Sequence, residues 1–224
     1  NYSGNELDSL AFSIRTDKNN FDFNLGFKNI SAGPLNIPRT IISGNQSSNA
    51  LTLNFHAYQD HVTFVHVNTR VTGNRDRLKL TVNPDSLVFN KHQWAIPDTN
   101  EVILTSQDIQ FNDFRATRKK QSIKFTDKHP NIKKNHAGVE FQNFKIREVL
   151  NYLNPDANLA TGQLNGNFIL IKPFEATGFE ADLKVNDFNL LKTDLGQLTI
   201  ITKSLQGNTY DFNAALKKGK INLD

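Results

Sequence analysis

From Gly178 to Phe188 the chain alternates apolar and polar residues almost without error. Phe179, Ala181, Leu183 and Val185 fall on one side of an extended strand, and Glu180, Asp182, Lys184 and Asn186 on the other. The same code returns at Phe21–Phe27, Leu51–Ala57, Leu78–Val82 and Tyr210–Leu216. A strand covered on both sides reads as an unbroken apolar run, so each of these strands has one greasy side and one wet side. Strands of this kind in succession build a sheet with one continuous apolar face, and the fold class is therefore all-β. The ordinary outcome is a closed sandwich or barrel in which two such faces bury each other.

Hydrophobic residues make up only 38% of the 224 residues, yet Phe alone contributes 17, against 4 Tyr and 1 Trp. The apolar content is concentrated in bulky rings at alternating positions, which suits a sheet face. No run of about 18 apolar residues is present, so no transmembrane helix is expected. The absence of Cys excludes disulfides and thiolate metal sites. The start at Asn1 and a strand pattern running to the last residues read as a piece of a longer protein.

Along the chain, 1–126 is a strand-rich segment, 127–138 a basic linker, and 139–224 a short helix followed by glycine-punctuated strands. Candidate strands are 7–16, 20–30, 50–58, 61–72, 76–83, 86–90, 101–105, 108–117 and 121–126, separated by turn chemistry such as Asp17-Lys-Asn-Asn, Thr72-Gly-Asn and Asn83-Pro-Asp-Ser. Short connections make consecutive strands antiparallel neighbours. Phe111-Asn-Asp-Phe and Phe141-Gln-Asn-Phe each break period two by one residue, the mark of a bulge. Ile146, Val149, Leu150 and Leu153 form the stripe of an amphipathic helix over 146–153, which Asn154-Pro155 ends. Gly162, Gly178 and Gly196 each read as a turn feeding a strand.

Little catalytic chemistry is written in the chain. His56, His61 and His66, spaced by five, alternate sides on an unbroken strand and do not converge on a metal. A bulge near Phe64-Val65 would rescue two of them, but exposed strand histidines are the plain reading. Neither a His-Glu-x-x-His nor a Gly-x-Ser-x-Gly nor a phosphate-loop phrase occurs. The acidic residues, among them Asp85, Asp98, Asp156 and Asp194, sit mostly at turns, and no pair is marked as a glycosidase couple. The expectation is a non-enzyme with no cofactor and no metal. Trp94, between His92 and Pro97, is expected to be packed core.

The net charge of +4 conceals one local patch. Residues 115–136 carry eight cations, including Arg115, Arg118, Lys119, Lys120, Lys133 and Lys134, against Asp127 alone. That is +7, leaving −3 for the rest. A solvated loop is the plain reading of such a run. Only Phe125 is interleaved with the charges, so nucleic acid is not an expected partner.

Residues 80–104, in which a strand leads to Asn83-Pro-Asp, a Leu-Val strand, Trp94, Pro97 and another strand, resemble a segment of TamB-type translocation and assembly proteins, of the AsmA/TamB-like superfamily. Residues 139–172 are similar to a later segment, with a Phe-Gln phrase, a short helix, Ala160-Thr-Gly and then Leu164-Asn-Gly-Asn-Phe. Asp187-Phe-Asn-Leu-Leu-Lys-Thr-Asp-Leu-Gly-Gln-Leu is similar to a third. The chain departs from the family pattern at Leu104-Thr-Ser-Gln-Asp-Ile, where glycines are usual.

This resemblance implies a piece from the C-terminal region of an inner-membrane-anchored protein that crosses the periplasm of a double-membrane bacterium. It implies an elongated, curved antiparallel sheet, a β-taco-like half-pipe whose apolar trough takes phospholipid acyl chains. The lining expected on that basis is Phe21, Phe23, Leu25 and Phe27 on one wall and Phe179, Leu183, Val185, Leu198, Ile200, Phe212 and Leu216 on the other. The six basic residues named above would then contact anionic head groups. The rival implication is a scaffold that assembles outer-membrane β-barrel proteins by strand addition, with the barrel-assembly machinery or its clients as partners. A third reading is a non-catalytic structural β-domain.

Overall fold

The computed structural model describes residues 5–18, 20–175, 177–205 and 209–219. It is 67% strand and 5% helix. The chain opens with β1 (Glu6–Asp8), β2 (Ala11–Thr16), β3 (Phe21–Phe27), β4 (Asn29–Ala32), β5 (Leu35–Ile37) and β6 (Thr40–Ser47). The long β7 (Ala50–Gln59) and β8 (Val62–Gly73) follow, then β9 (Arg77–Val82) and a single 3-10 turn at Pro84–Ser86. Next come β10 (Val88–Phe89), β11 (His92–Gln93), β12 (Glu101–Thr105), β13 (Ile109–Asn112), β14 (Arg115–Arg118), β15 (Gln121–Thr126) and β16 (His136–Lys145). The helix α1 (Arg147–Leu153) precedes β17 (Ala160–Ile171), β18 (Gly178–Leu190), β19 (Thr193–Ser204) and β20 (Tyr210–Lys218).

Two large antiparallel sheets result. One runs β2-β3-β6-β7-β8-β9-β12-β13, with β10 attached to β8 and β11 to β10; the other runs β14 to β20 in sequence order; β1, β4 and β5 form a small third sheet. Neither large sheet closes into a barrel among the described residues.

Register decides the faces, because directly paired residues share a side. In the first sheet Leu25, Ile42, Phe55 and Val67 form one row and Phe23, Gly44, Leu53, Thr69 and Val82 the next. The opposite side carries rows such as Asn24, Ser43, Asn54 and Asn68. In the second sheet Ile123, Phe141, Gly166, Leu183, Ile200 and Ala214 share one side, and Lys124, Glu140, Asn167, Asp182, Ile201 and Asn213 the other. The one-sided code in the sequence is thus realised as one mainly apolar face per sheet, with Ile41 and Ile103 of the first sheet and Ile169 and Ile201 of the second among the exceptions.

The two apolar faces meet over a segment that belongs to neither. Leu87, Trp94 and Ile96 are buried together with Val82 of the first sheet and Phe144 of the second, and Val67, Ala116, Ile123, Phe141 and Leu164 pack around them. Trp94 is fully enclosed, its ring 6.0 Å from Phe89 and 5.9 Å from Phe144. Backbone bonds hold the segment to both sides: Val88 pairs with His66, and Ala95 exchanges two bonds of 2.8 and 2.9 Å with Thr117. Buried Asn100 donates to Val82 O and Pro97 O and accepts from Val82 N, closing the end of β9.

Several boundaries differ from the sequence expectation. Residues 108–117 are not one bulged strand: Asp113 adopts φ 46° and turns the chain from one large sheet into the other. Phe111, Phe114 and Phe125 stack within 5.4–6.3 Å around that corner. Strand 7–16 breaks at Ser9 (φ 57°), and 20–30 divides into β3 and β4. Residues 86–90 resolve into the end of the 3-10 turn and the two-residue β10. β5 and β6 were not anticipated. In β6 the row position opposite Phe23 is Gly44, and a side chain there would collide with the Phe23 ring. The glycine erases the apolar alternation and at the same time makes room for the ring. Gly162 and Gly196 sit inside β17 and β19 at register irregularities rather than in turns. The bulge at Phe141–Phe144 is present as expected, with Asn143 at φ 48°.

Trp94→Ala should lower stability by about 3–5 kcal/mol, as for a fully buried large aromatic, and Trp94→Phe by distinctly less. Urea unfolding followed by circular dichroism reads this; an unchanged midpoint in Trp94→Ala would mean that the two sheets do not depend on this cluster.

Candidate functional site: the apolar faces and their basic flank

Outside the Trp94 cluster the apolar faces continue. β3 projects Phe21, Phe23, Leu25 and Phe27 onto the same side as Ile42 and Phe55, and its edge neighbour β2 adds Phe12 and Ile14. The β3 residues are half-buried, whereas Phe12 and Ile14 are 64% and 52% exposed. On the second sheet Leu183, Val185, Leu198, Ile200 and Leu216 share the face of Leu164 and Phe141. Val185 is buried, and Leu183, Leu198, Ile200 and Leu216 are half-buried. Phe179 stacks between its neighbours at 6.0 Å from Phe168 and 4.5 Å from Tyr210. Phe212, on the edge strand, is 64% exposed.

Register therefore gathers the eleven sequence-predicted lining residues into two groups, one on each large sheet, each on its sheet's apolar face. Val185 is buried, and the other ten are half-buried or exposed. Of the eleven only Phe212 is largely exposed. A concavity of about 950 Å³ lies elsewhere, at the end of the first sheet against Asn29, Asn36 and Asp156, and of the eleven residues only Phe27 lines it.

The basic residues divide. Lys119 and Lys120 are exposed in the turn before β15, and Lys133 and Lys134 in the loop after it, so these pairs occupy opposite ends of a six-residue strand. Arg115 lies on the wet side, donating to Ser122 Oγ and Gln142 Oε1 at 3.4 Å. Arg118 does not reach outward: its guanidinium lies 3.4 Å from the carboxylate of Glu148, and its side chain is largely covered. The loop carrying Lys133 and Lys134 is anchored by buried His136, whose Nδ1 donates to Lys134 O while its Nε2 accepts from His129 N, both at 2.8 Å.

Glu148 was not anticipated. The apolar stripe predicted for α1 would bury Val149, but Val149 is 50% exposed and Glu148 only 2%. The inward side of the helix is Glu148 and Tyr152, one turn apart. Glu148 accepts from Arg118 and Gln121 of the second sheet and from Asn90 beside the first, at 3.3–3.4 Å. Tyr152 stacks edge-on against Phe55 at 5.6 Å, and its hydroxyl meets Thr40 Oγ1 at 3.1 Å. Burial raises the Tyr152 phenol above its ordinary pKa. The helix is thus pinned to both sheets by polar contacts, a signal that a search for apolar periodicity passes over.

No helix among the described residues is long and apolar enough to cross a membrane. No group of three or more His, Asp or Glu side chains among them converges as a metal site.

Glu148→Leu should destabilise the chain by about 3–5 kcal/mol by leaving Arg118 covered and unpaired, and Arg118→Met should relieve part of that loss. A double-mutant cycle by urea unfolding should return a coupling of about 0.5–3 kcal/mol; strict additivity would show that the pair is not linked. Comparison with protein-family models, with curated proteins and with solved structures finds no match to this chain.

Proposed function

We propose that this chain is a periplasmic segment of an envelope-spanning, TamB-like protein, that its sheets form a curved apolar half-pipe, and that phospholipid acyl chains travel along it between the inner and outer membranes. The observation that carries this reading is the pair of one-sided sheets whose apolar faces run past their shared core to exposed Phe12, Ile14 and Phe212. Exposing an acyl chain of about 16 carbons to water costs on the order of 12 kcal/mol, at roughly 0.8 kcal/mol per methylene. An apolar track removes that penalty by contact alone and needs no catalytic group. Lys119, Lys120, Lys133 and Lys134, exposed beside the second sheet, would attract anionic head groups at about 1 kcal/mol each near a membrane surface. Arg118, committed to Glu148, is left out of that set.

A second reading is supported by β2. Every residue of that strand is exposed, and its outer edge has no partner among the described residues. Such an edge can accept an incoming strand through main-chain hydrogen bonds, as assembly of outer-membrane proteins would require.

Native mass spectrometry of the purified chain should show bound phospholipid. Phe212→Asp combined with Ile14→Asp should remove most of it while leaving the melting transition in place, because both positions are exposed. A chain free of lipid, or equal lipid on the variant, overturns the transport reading. A proline in β2 that blocks capture of an extended client strand but spares lipid would favour assembly.

A further inference from the structure

On the wet side of the first sheet lies an aromatic column that the apolar faces do not use. The turn between β7 and β8 places Asp60 and His61 at φ 51° and 63°, the two left-handed residues of a tight hairpin. Tyr58 then pairs with Thr63, but Ala57 pairs with Val65, so Phe64 is an extra residue in β8. Without that bulge His66 would stand opposite Phe55, on the apolar side. With it, His66 stands directly opposite His56 on the wet side.

The two imidazoles stack at 4.5 Å and 13°. His56 also stacks on Tyr58 at 4.1 Å, and the Arg39 guanidinium lies 5.3 Å from the Tyr58 ring. Both nitrogens of His56 are engaged, Nδ1 with the Tyr58 hydroxyl and Nε2 with Thr63 Oγ1, each at 3.0 Å. That engagement, and the lack of a third ligand among the described residues, argues against a metal site here.

Charge around the pair is unhelpful to protonation. The strands flanking it present Ile41 opposite His56 and Val88 opposite His66. Arg39, just before β6, adds a positive charge at the end of the column. The hairpin turn contributes Asp60 and His61, and the turn after β10 contributes Lys91, 5.9 Å from the Phe64 ring. No carboxylate among the described residues contacts either imidazole. Burial holds both rings below the ordinary histidine pKa, and for His56 the neighbouring His66 lowers it further.

The other side of this hairpin is the seat of α1. Ala57, Phe64 and Val65 form a buried cluster, and Phe55 and Tyr152 pack on it. We propose that the His56–His66 stack is an acid-sensitive lock on that seat: neutral rings hold the bulge and the cluster behind it, and protonated rings repel and release α1 from the first sheet. The lock does not depend on what occupies the apolar faces. Its sign follows from linkage. In the unfolded chain both histidines take up protons near pH 6.5, while in the folded chain they resist doing so until lower pH. The contribution of the pair is therefore full above about pH 6.5, falls as the pH drops below it, and is gone once the pH is under the folded values.

The test is urea unfolding at pH 7.5 and pH 5 with amide hydrogen exchange on the intact chain. The midpoint should fall on acidification, with exchange quickening in α1 and β7–β8 before it does around Trp94. His56→Gln with His66→Gln should flatten the acid loss, whereas His61→Gln in the exposed turn should leave it unchanged. An acid loss as large in the double variant as in the parent overturns the proposal. Should that variant fail to fold, imidazole NMR titration of the parent decides: both rings titrating at or above the ordinary histidine value overturn it, and both below support it.

Discussion

Everything in this structure depends on one hydrophobic requirement: two sheets, each greasy on a single side, have to be joined without either closing on itself. The junction is the segment from Asn83 to Asn100. It inserts Leu87, Trp94 and Ile96 between the apolar faces and hydrogen-bonds to both. Burying a large aromatic gains hydrophobic and dispersion energy from every side it touches, and Trp94 is enclosed by side chains of both sheets. Away from this point a second cluster, Ala57, Phe64 and Val65, is buried under α1, and the outer strands β2 and β20 carry Phe12, Ile14 and Phe212, which are left largely uncovered.

Polar contacts then set how the pieces sit. Around Glu148 a helix side chain meets Arg118 and Gln121 on one side and Asn90 on the other, so α1 cross-links the two sheets. A covered carboxylate adds little net stability, but it is costly to leave without its partners, and it defines one arrangement among several that apolar packing alone would permit. The bulge at Phe64 performs a similar selection on the other side of the helix. One additional residue moves His66 to the wet side and turns Phe64 into the core that receives Tyr152.

Much of the secondary structure was readable from alternation. β12 and β15 match the expected 101–105 and 121–126, and α1 falls within 146–153. The Phe141–Phe144 bulge followed from a single slip in period. β6 escaped because Gly44 interrupts its pattern, and Gly44 is required by the Phe23 ring on the next strand. The corner at Asp113 escaped because a bulge and a change of sheet both cost the pattern one residue. Of the basic residues, Arg118 reads in sequence like its neighbours Lys119 and Lys120. It turns inward because Arg118 pairs with Gln121 across the β14–β15 turn, on the side that faces Glu148.

The sequence by itself determined that the chain is strand-built and that each strand has one apolar side, because side-chain direction along a strand alternates whatever its partners are. Which apolar side meets which, how much of it stays open, and which polar groups end up enclosed were decided only by tertiary structure. The physical reason is that register and sheet-to-sheet packing depend on residues far apart in the chain, Val82 with Phe144 or Arg118 with Glu148, and local periodicity carries no record of those pairings.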